Sequence, residues 1–152
     1  MKIAEGLVLR ADLQRRVEAL RERLAASVLV QEGLQPPEDP QALFAELDGM
    51  LETLTTLIAR INRNNLQATL ADGTSLTIAL ARRDMLKLQI SVLGSAAQGT
   101  TKDLDRYSRS EIRHLPTIDV GALRRRIDDL SRTHRELDTA IQASNWTTEM
   151  AD

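Results

Sequence analysis

The clearest pattern in the chain is a heptad of apolar residues in its first half. It consists of Leu43, Leu47, Met50, Leu54, Leu57 and Ile61, spaced alternately by four and three. Such spacing keeps one apolar stripe on one side of an α-helix and requires a partner helix. A flanking row, seven residues apart, consists of Phe44, Leu51 and Ile58. The apolar face is therefore wider than a two-stranded coiled coil needs.

The ends of this second helix can also be predicted. Asp39 is a suitable N-cap and Pro40 suits the first helical position. The helix is expected to fray into the polar residues 62–65, whose asparagines are interpreted as helix-end residues that bond the backbone. Asp72-Gly73, which follows, is a turn signal and predicts a short β-hairpin or tight turn before the third helix.

The first and last helices carry narrower stripes. The first is predicted from about Ile3 to about Gln31, with a stripe of Leu13, Val17, Leu20 and Leu24. The last is predicted from the cap Asp119 to about Trp146, with residues 150–152 frayed. Its stripe consists of Leu123, Ile127, Leu130, His134, Leu137 and Ile141. Because charged residues occupy most other positions, this stripe is typical of a coiled-coil strand.

The third helix, predicted from about Leu76 to about Ala97, carries two apolar faces. One consists of Leu86, Ile90, Leu93 and Ala97; the other consists of Met85, Leu88 and Val92. The two faces lie more than about 90° apart around the helix axis. We therefore expect this helix to be sandwiched, either within the monomer or between subunits.

These elements predict an all-α fold: an antiparallel bundle of four long, coiled-coil-like helices in a single helical domain, residues 1–152, with a possible short β-hairpin or turn between helices 2 and 3. Composition supports this class, since only Phe44, Tyr107 and Trp146 are aromatic. A core built from aliphatic residues suits helix-on-helix packing better than a β-sandwich.

Charge and cysteine content narrow the function classes. A net charge of −2 argues against a generic nucleic-acid or anionic-membrane binder. The absence of cysteine excludes disulfides and thiol chemistry. Glu5 and Gly6 interrupt the N-terminal apolar residues, which makes this a poor signal peptide, and no apolar run approaches the roughly 20 residues of a membrane span. We expect a cytoplasmic protein without a nucleic-acid partner, and membrane association is not expected.

Candidate chemistry is sparse. The segment 105–112 is the richest in reactive side chains, and Arg106, Tyr107 and Arg109 are the candidate ligand-binding residues, suited to a phosphate or carboxylate. The alternative is that this loop anchors itself through salt bridges. Glu111 and His114 form a single Glu-x-x-His, where a di-iron bundle needs two. No catalytic residue, metal site or cofactor is predicted.

Several blocks of sequence together carry a family resemblance. They are residues 9–14 (LRADLQ), 31–33 (QEG), 61–65 (INRNN), 105–112 (DRYSRSEI) and 141–148 (IQASNWTT). In these blocks the chain resembles a small bacterial helical family, often labelled septicolysin and otherwise of unknown function. The label implies a cytolytic, pore-forming toxin, but the resemblance implies no particular catalytic residue.

Three functions follow as hypotheses. The first is a non-enzymatic coiled-coil assembly or adaptor protein that forms a homo-oligomer through helices 2 and 3, with a possible further protein partner. The second is a pore-forming, cytolysin-like toxin, as the family label implies. The third is a small anion- or ligand-binding protein, or an enzyme, whose site forms between subunits.

Overall fold

Four long α-helices make up the protein. The computed structural model describes residues 1–101 and 114–151. The helices are α1 (Ile3–Ser27), α2 (Pro40–Gln67), α3 (Leu76–Gly99) and α4 (Val120–Thr147). Within these described ranges no strand forms, and the predicted all-α fold with four long helices is confirmed. No helix there is long and apolar enough to cross a membrane.

The chain divides into two compact units. The first contains Met1–Thr69 with Ala143–Asp152, and the second contains Leu70–Gln142. The last turns of α4 therefore belong to the first unit and the rest of that helix to the second. The prediction of a single domain stays a prediction.

In the first unit, α1 and α2 are antiparallel. Arg23, near the end of α1, donates hydrogen bonds to Glu46 near the start of α2, and Gly6 lies beside Ile61 at the opposite end. The buried α1 residues Gly6, Leu13, Leu20 and Ser27 recur every seven positions. The stripe predicted for α1 therefore extends over the whole helix.

Helix α1 ends earlier than predicted, at Ser27 and not near Gln31. Val28, Leu29 and Val30 follow as exposed residues. Burial of an apolar face supplies most of a helix's stability in a protein, and β-branched valines are weak helix formers. Because residues 28–30 have no surface to pack against, the helix ends at Ser27.

Helix α2 begins as predicted, since the Asp39 carboxylate accepts a hydrogen bond from the backbone N–H of Gln41 at 3.0 Å. Its predicted fraying at residues 62–65 is wrong, because the helix continues to Gln67. Asn64 is buried and takes the next heptad position after Ile61. Its bonds to the backbone agree with the role expected of these asparagines.

Fraying was predicted for residues 150–152, and hydrogen bonds hold residues 150 and 151 in place instead. The backbone N–H of Met150 donates to the Met1 carbonyl at 2.8 Å, and the N–H of Ala151 donates to Asn64 Oδ1 at 2.9 Å. The Arg60 guanidinium donates to the carbonyls of Met150 and Ala151. The Met150 side chain is buried beside Gly6. These bonds secure residues 150 and 151; Asp152 lies outside the described residues.

A tight turn precedes α3, as the Asp-Gly signal predicted. The Leu70 carbonyl accepts from the N–H of Gly73 at 3.0 Å, and the Leu70 N–H donates to the Thr74 carbonyl at 2.8 Å. Gly73 has φ +83°, a conformation that glycine adopts without strain. Asp72 Oδ1 accepts from the Thr74 N–H at 2.8 Å, and this hydrogen bond lowers the pKa of the Asp72 carboxyl. Of the two predicted alternatives, a short β-hairpin and a tight turn, the tight turn forms.

In the second unit, α3 and α4 are antiparallel. Ser75 caps α3 by accepting from the N–H of Ile78, and Asp119 caps α4 by accepting from the N–H of Ala122 at 2.8 Å. Arg83, early in α3, pairs with Asp138, late in α4, at 3.6 Å. This pairing brings two heptad stripes together along the facing sides of the helices.

Candidate functional site: two grooves beside the α3–α4 contact

The facing stripes of α3 and α4 are apolar except at two positions. On α3 the stripe consists of Ala79, Arg83, Leu86, Ile90, Leu93 and Ala97, spaced by four and three. The two polar positions are Arg83 on α3 and His134 on α4, and both residues are half-buried. A groove runs along each edge of this contact, one lined mainly by charged groups and one mainly by apolar groups.

The first groove is a charged cleft of about 430 Å³. Its lining consists of Arg83, Asp84, Lys87, Ile90, Ser131, His134 and Arg135. Asp84 pairs with Arg83 at 2.9 Å, and Asp138 approaches the same guanidinium at 3.6 Å. Arg83 is therefore engaged by two carboxylates. Lys87 and Arg135 have no ion-pair partner within the part of the chain that the structure describes. The cleft thus presents cationic and hydrogen-bond-donating groups to solvent.

The second groove, of about 600 Å³, adjoins an exposed apolar row on α3. It is lined by Ile78, Ala81, Arg82, Met85, Leu86, Gln89, Thr133 and Leu137. The row, called here the α3 row, consists of Ile78, Ala81, Met85, Leu88 and Val92, at spacings of three and four. Four of its side chains are half or more exposed: Ile78 50%, Met85 60%, Leu88 56% and Val92 59%.

The α3 row has coiled-coil spacing but no partner helix among the described residues. At about 1.5 Å per residue, the helix from Ile78 to Val92 offers an apolar stripe about 21 Å long. Isolated exposed apolar residues are common on protein surfaces, whereas a contiguous patch marks an interaction site. The sequence-based expectation of a second apolar face on this helix therefore corresponds to an exposed surface.

Helix α2 carries a smaller exposed apolar patch. Leu43, Leu57 and Ile61 of its main stripe are buried. Of the flanking row predicted from the sequence, Phe44 and Leu51 are exposed, while Ile58 is half-buried. The patch is shorter than the α3 row.

The candidate ligand residues Arg106, Tyr107 and Arg109 lie outside the described residues, so their role as an anion site stays a prediction. The sequence placed His134 on the α4 stripe but did not predict the charged cleft. The α3 heptad contained a sequence signal for the cleft. Its spacing predicts an apolar residue between Ala79 and Leu86, and Arg83 occupies that position. Two polar side chains at stripe positions of neighbouring helices indicate a polar break in their contact.

Comparison with known proteins identifies a family without assigning a function. Residues 10–150 match a family of unknown function, DUF6847, and the chain belongs to this family. The crystal structure of a functionally unknown conserved protein from Corynebacterium diphtheriae is similar, with 37% sequence identity and a TM-score of 0.93. The match covers 99% of each chain. No curated protein matches the sequence.

Proposed function

We propose that this protein is a non-enzymatic, self-associating helical protein, an assembly or adaptor component that forms a homo-oligomer through α3, with α2 contributing a second patch. The observation that carries the proposal is the α3 row, whose large side chains are half or more exposed at coiled-coil spacing. Exposed apolar surface in this arrangement is stabilised when another helix covers it.

A second copy of the chain suits this surface for a reason of symmetry. Most homo-oligomers are closed and symmetric, and a two-fold interface uses the same patch on both subunits. Residues at alternating spacings of three and four meet a copy of themselves in knobs-into-holes contacts. The groove beside Met85 adds room for side chains of the second copy. The row is thus complementary to itself.

Charge substitution in the α3 row tests the proposal. Lysine has nearly the helix propensity of methionine and leucine, so the double variant Met85→Lys/Leu88→Lys is expected to keep α3 folded. Four lysine ammonium groups at a two-fold interface repel one another and lose hydration. We expect the dissociation constant of the oligomer to rise by at least about tenfold, measured by light scattering across a dilution series.

The matched control is Gln98→Lys, which adds a lysine to the same helix at an exposed position outside the row. Its mass distribution should equal that of the wild type, and circular dichroism should show equal helix content for all three proteins. If the double variant and the control associate as strongly as the wild type, the α3 row is not the interface.

The α2 patch is tested separately. Phe44→Lys/Leu51→Lys changes two exposed side chains on that helix. Because the patch is short, we expect a weaker effect than in α3, with an intermediate dissociation constant in the same dilution series.

A cytolytic function, as the septicolysin label implies, is the alternative. One feature favours it: Val28, Leu29, Val30 and Leu34 form an exposed aliphatic loop after α1. Apolar loop residues of this kind can enter a membrane interface. Leakage of a trapped dye from anionic phosphatidylglycerol vesicles, abolished by Leu29→Asp, would support the alternative; vesicles that stay sealed at micromolar protein would oppose it.

The remaining parts of the proposal rest on the sequence. A cytoplasmic location, a further protein partner and an anion site at Arg106, Tyr107 and Arg109 stay predictions. For the last, Arg106→Ala/Arg109→Ala distinguishes a binding loop from a self-anchored one. A structural loop would lose stability without any ligand-linked change in the melting temperature.

A further inference from the structure

We infer that the charged cleft between α3 and α4 binds the phosphate group of a small molecule, such as a phosphate monoester or pyrophosphate. The inference is independent of self-association, because the cleft and the α3 row lie along different edges of the α3–α4 contact.

Two cations of the cleft that form no ion pair within the described ranges favour a dianion. Three lining side chains, Arg83, Lys87 and Arg135, are cationic, and one, Asp84, is anionic. The charge of Arg83 is already balanced by the Asp84 carboxylate. Asp138, outside the lining, also approaches Arg83. With both carboxylates counted, the group keeps one net positive charge. Within the described ranges, Lys87 and Arg135, one from each helix, form no ion pair with a carboxylate, and they are the groups we assign to the ligand.

The available donors favour phosphate over carboxylate. The Lys87 ammonium, the Arg135 guanidinium and the Ser131 hydroxyl can all donate hydrogen bonds. Neither Ser131 nor His134 has a side-chain hydrogen bond to another residue within the described ranges 1–101 and 114–151. A phosphate offers three acceptor oxygens and a charge near −2, which can engage this set together. A single carboxylate offers two oxygens and one charge.

The arrangement of the cleft supports a specific site over diffuse attraction. Arg83 is held by Asp84 at 2.9 Å and by Asp138 at 3.6 Å, so one wall is fixed before a ligand arrives. The volume of about 430 Å³ is within the usual range for small-molecule sites and exceeds that of one phosphate. Ile90 and the aliphatic stems of the basic residues can contact a small organic group attached to it.

The two histidines of the chain provide a direct test. His134 lines the cleft and His114 does not. Pyrophosphate is titrated into the wild-type protein at constant ionic strength, while the imidazole resonances of both histidines are followed by NMR. We expect a saturable shift of the His134 resonances, and none for His114. Isothermal titration calorimetry gives the dissociation constant for the same probe.

Substitution in the cleft separates a site from general electrostatic attraction. Lys87→Gln/Arg135→Gln removes the two ligand-facing cations, and binding should weaken by about tenfold or more. The control Arg124→Gln/Arg126→Gln removes the same number of charges from exposed positions of α4 outside the cleft, and should change binding by about twofold at most. Circular dichroism confirms that each variant is folded.

Three results would overturn the inference. They are the absence of a saturable His134 shift, equal weakening in the cleft variant and the Arg124→Gln/Arg126→Gln control, and an equal response to succinate at the same ionic strength. The last would mean that the cleft recognises anions without preferring phosphate.

Discussion

Asn64→Ala should loosen the C-terminal segment, which Arg60 would still connect to α2. Asn64 is 4% exposed, and its amide bonds both backbone groups of Ala151: Oδ1 accepts from the N–H at 2.9 Å, and Nδ2 approaches the carbonyl at 3.4 Å. Nδ2 also donates to the Arg60 carbonyl at 2.8 Å. No other residue within the described ranges makes this connection to Ala151 N–H. Removing the amide therefore leaves a partly buried donor without its partner.

The expected loss can be estimated from these bonds. An unsatisfied buried polar group costs about 1–3 kcal/mol. Alanine recovers up to about 0.7 kcal/mol of helix propensity relative to asparagine. The net loss in the free energy of unfolding is then about 0.3–2.3 kcal/mol. For a chain of this length, that corresponds to a fall in melting temperature of about 1–9 °C.

Urea denaturation of Asn64→Ala and of the control Asn62→Ala measures this effect. Asn62 is exposed on the same helix, so its substitution by alanine gains helix propensity without removing the hydrogen bonds between Asn64 and Ala151. Amide exchange at Ala151 gives a local readout and should accelerate in the Asn64 variant alone. If both variants are equally stable and exchange at Ala151 is unchanged, the bonds of Asn64 do not hold the terminus.

Two further predictions concern the connections between helices. The side-chain hydrogen bond from Arg23 lowers the pKa of the Glu38 carboxyl from its ordinary value of 4.5. The ionised Glu38 therefore contributes its full stabilisation of the folded state above about pH 4.5. This contribution is lost as the pH falls through the lower pKa that Glu38 has in the folded protein. Glu38→Gln should therefore be less stable than the wild type near neutrality and equally stable in strong acid. Urea unfolding of both proteins from about pH 7 to about pH 2 measures this. A difference in the free energy of unfolding that stays constant over this pH range would contradict the prediction. Gly73, at φ +83°, should lose about 1 kcal/mol on substitution by alanine, whereas the helical Gly49, with open space around it, should gain about 0.5–1 kcal/mol. Equal urea midpoints for the two alanine variants would contradict the assigned turn.

The helices could be predicted because their apolar periodicity is determined by packing along one face. The stripe from Leu43 to Ile61 and the caps Asp39 and Asp119 all have their expected places. The end of α2 was missed because Asn64 is polar, and a count of apolar positions stops at Ile61. Extending the same register by three residues would have placed Asn64 inside the stripe.

The C-terminal segment and the charged cleft depend on contacts between residues far apart in the sequence. Ala151 is fixed by Asn64, 87 positions away, through backbone atoms that leave no side-chain pattern. The cleft contains Lys87 of α3 and Arg135 of α4. On its own helix, each has the sequence pattern of an ordinary solvent-exposed charge. Only the antiparallel pairing of α3 and α4 brings them to one groove.

The mass of the wild-type protein in solution tests self-association most directly. Sedimentation equilibrium across roughly 1–100 µM, the range in which a modest homo-oligomer assembles, gives the weight-average mass without labels. Self-association predicts a mass that rises with concentration above the 16.9 kDa of one chain, toward an integral multiple. A single species of 16.9 kDa at every concentration would contradict the proposed function.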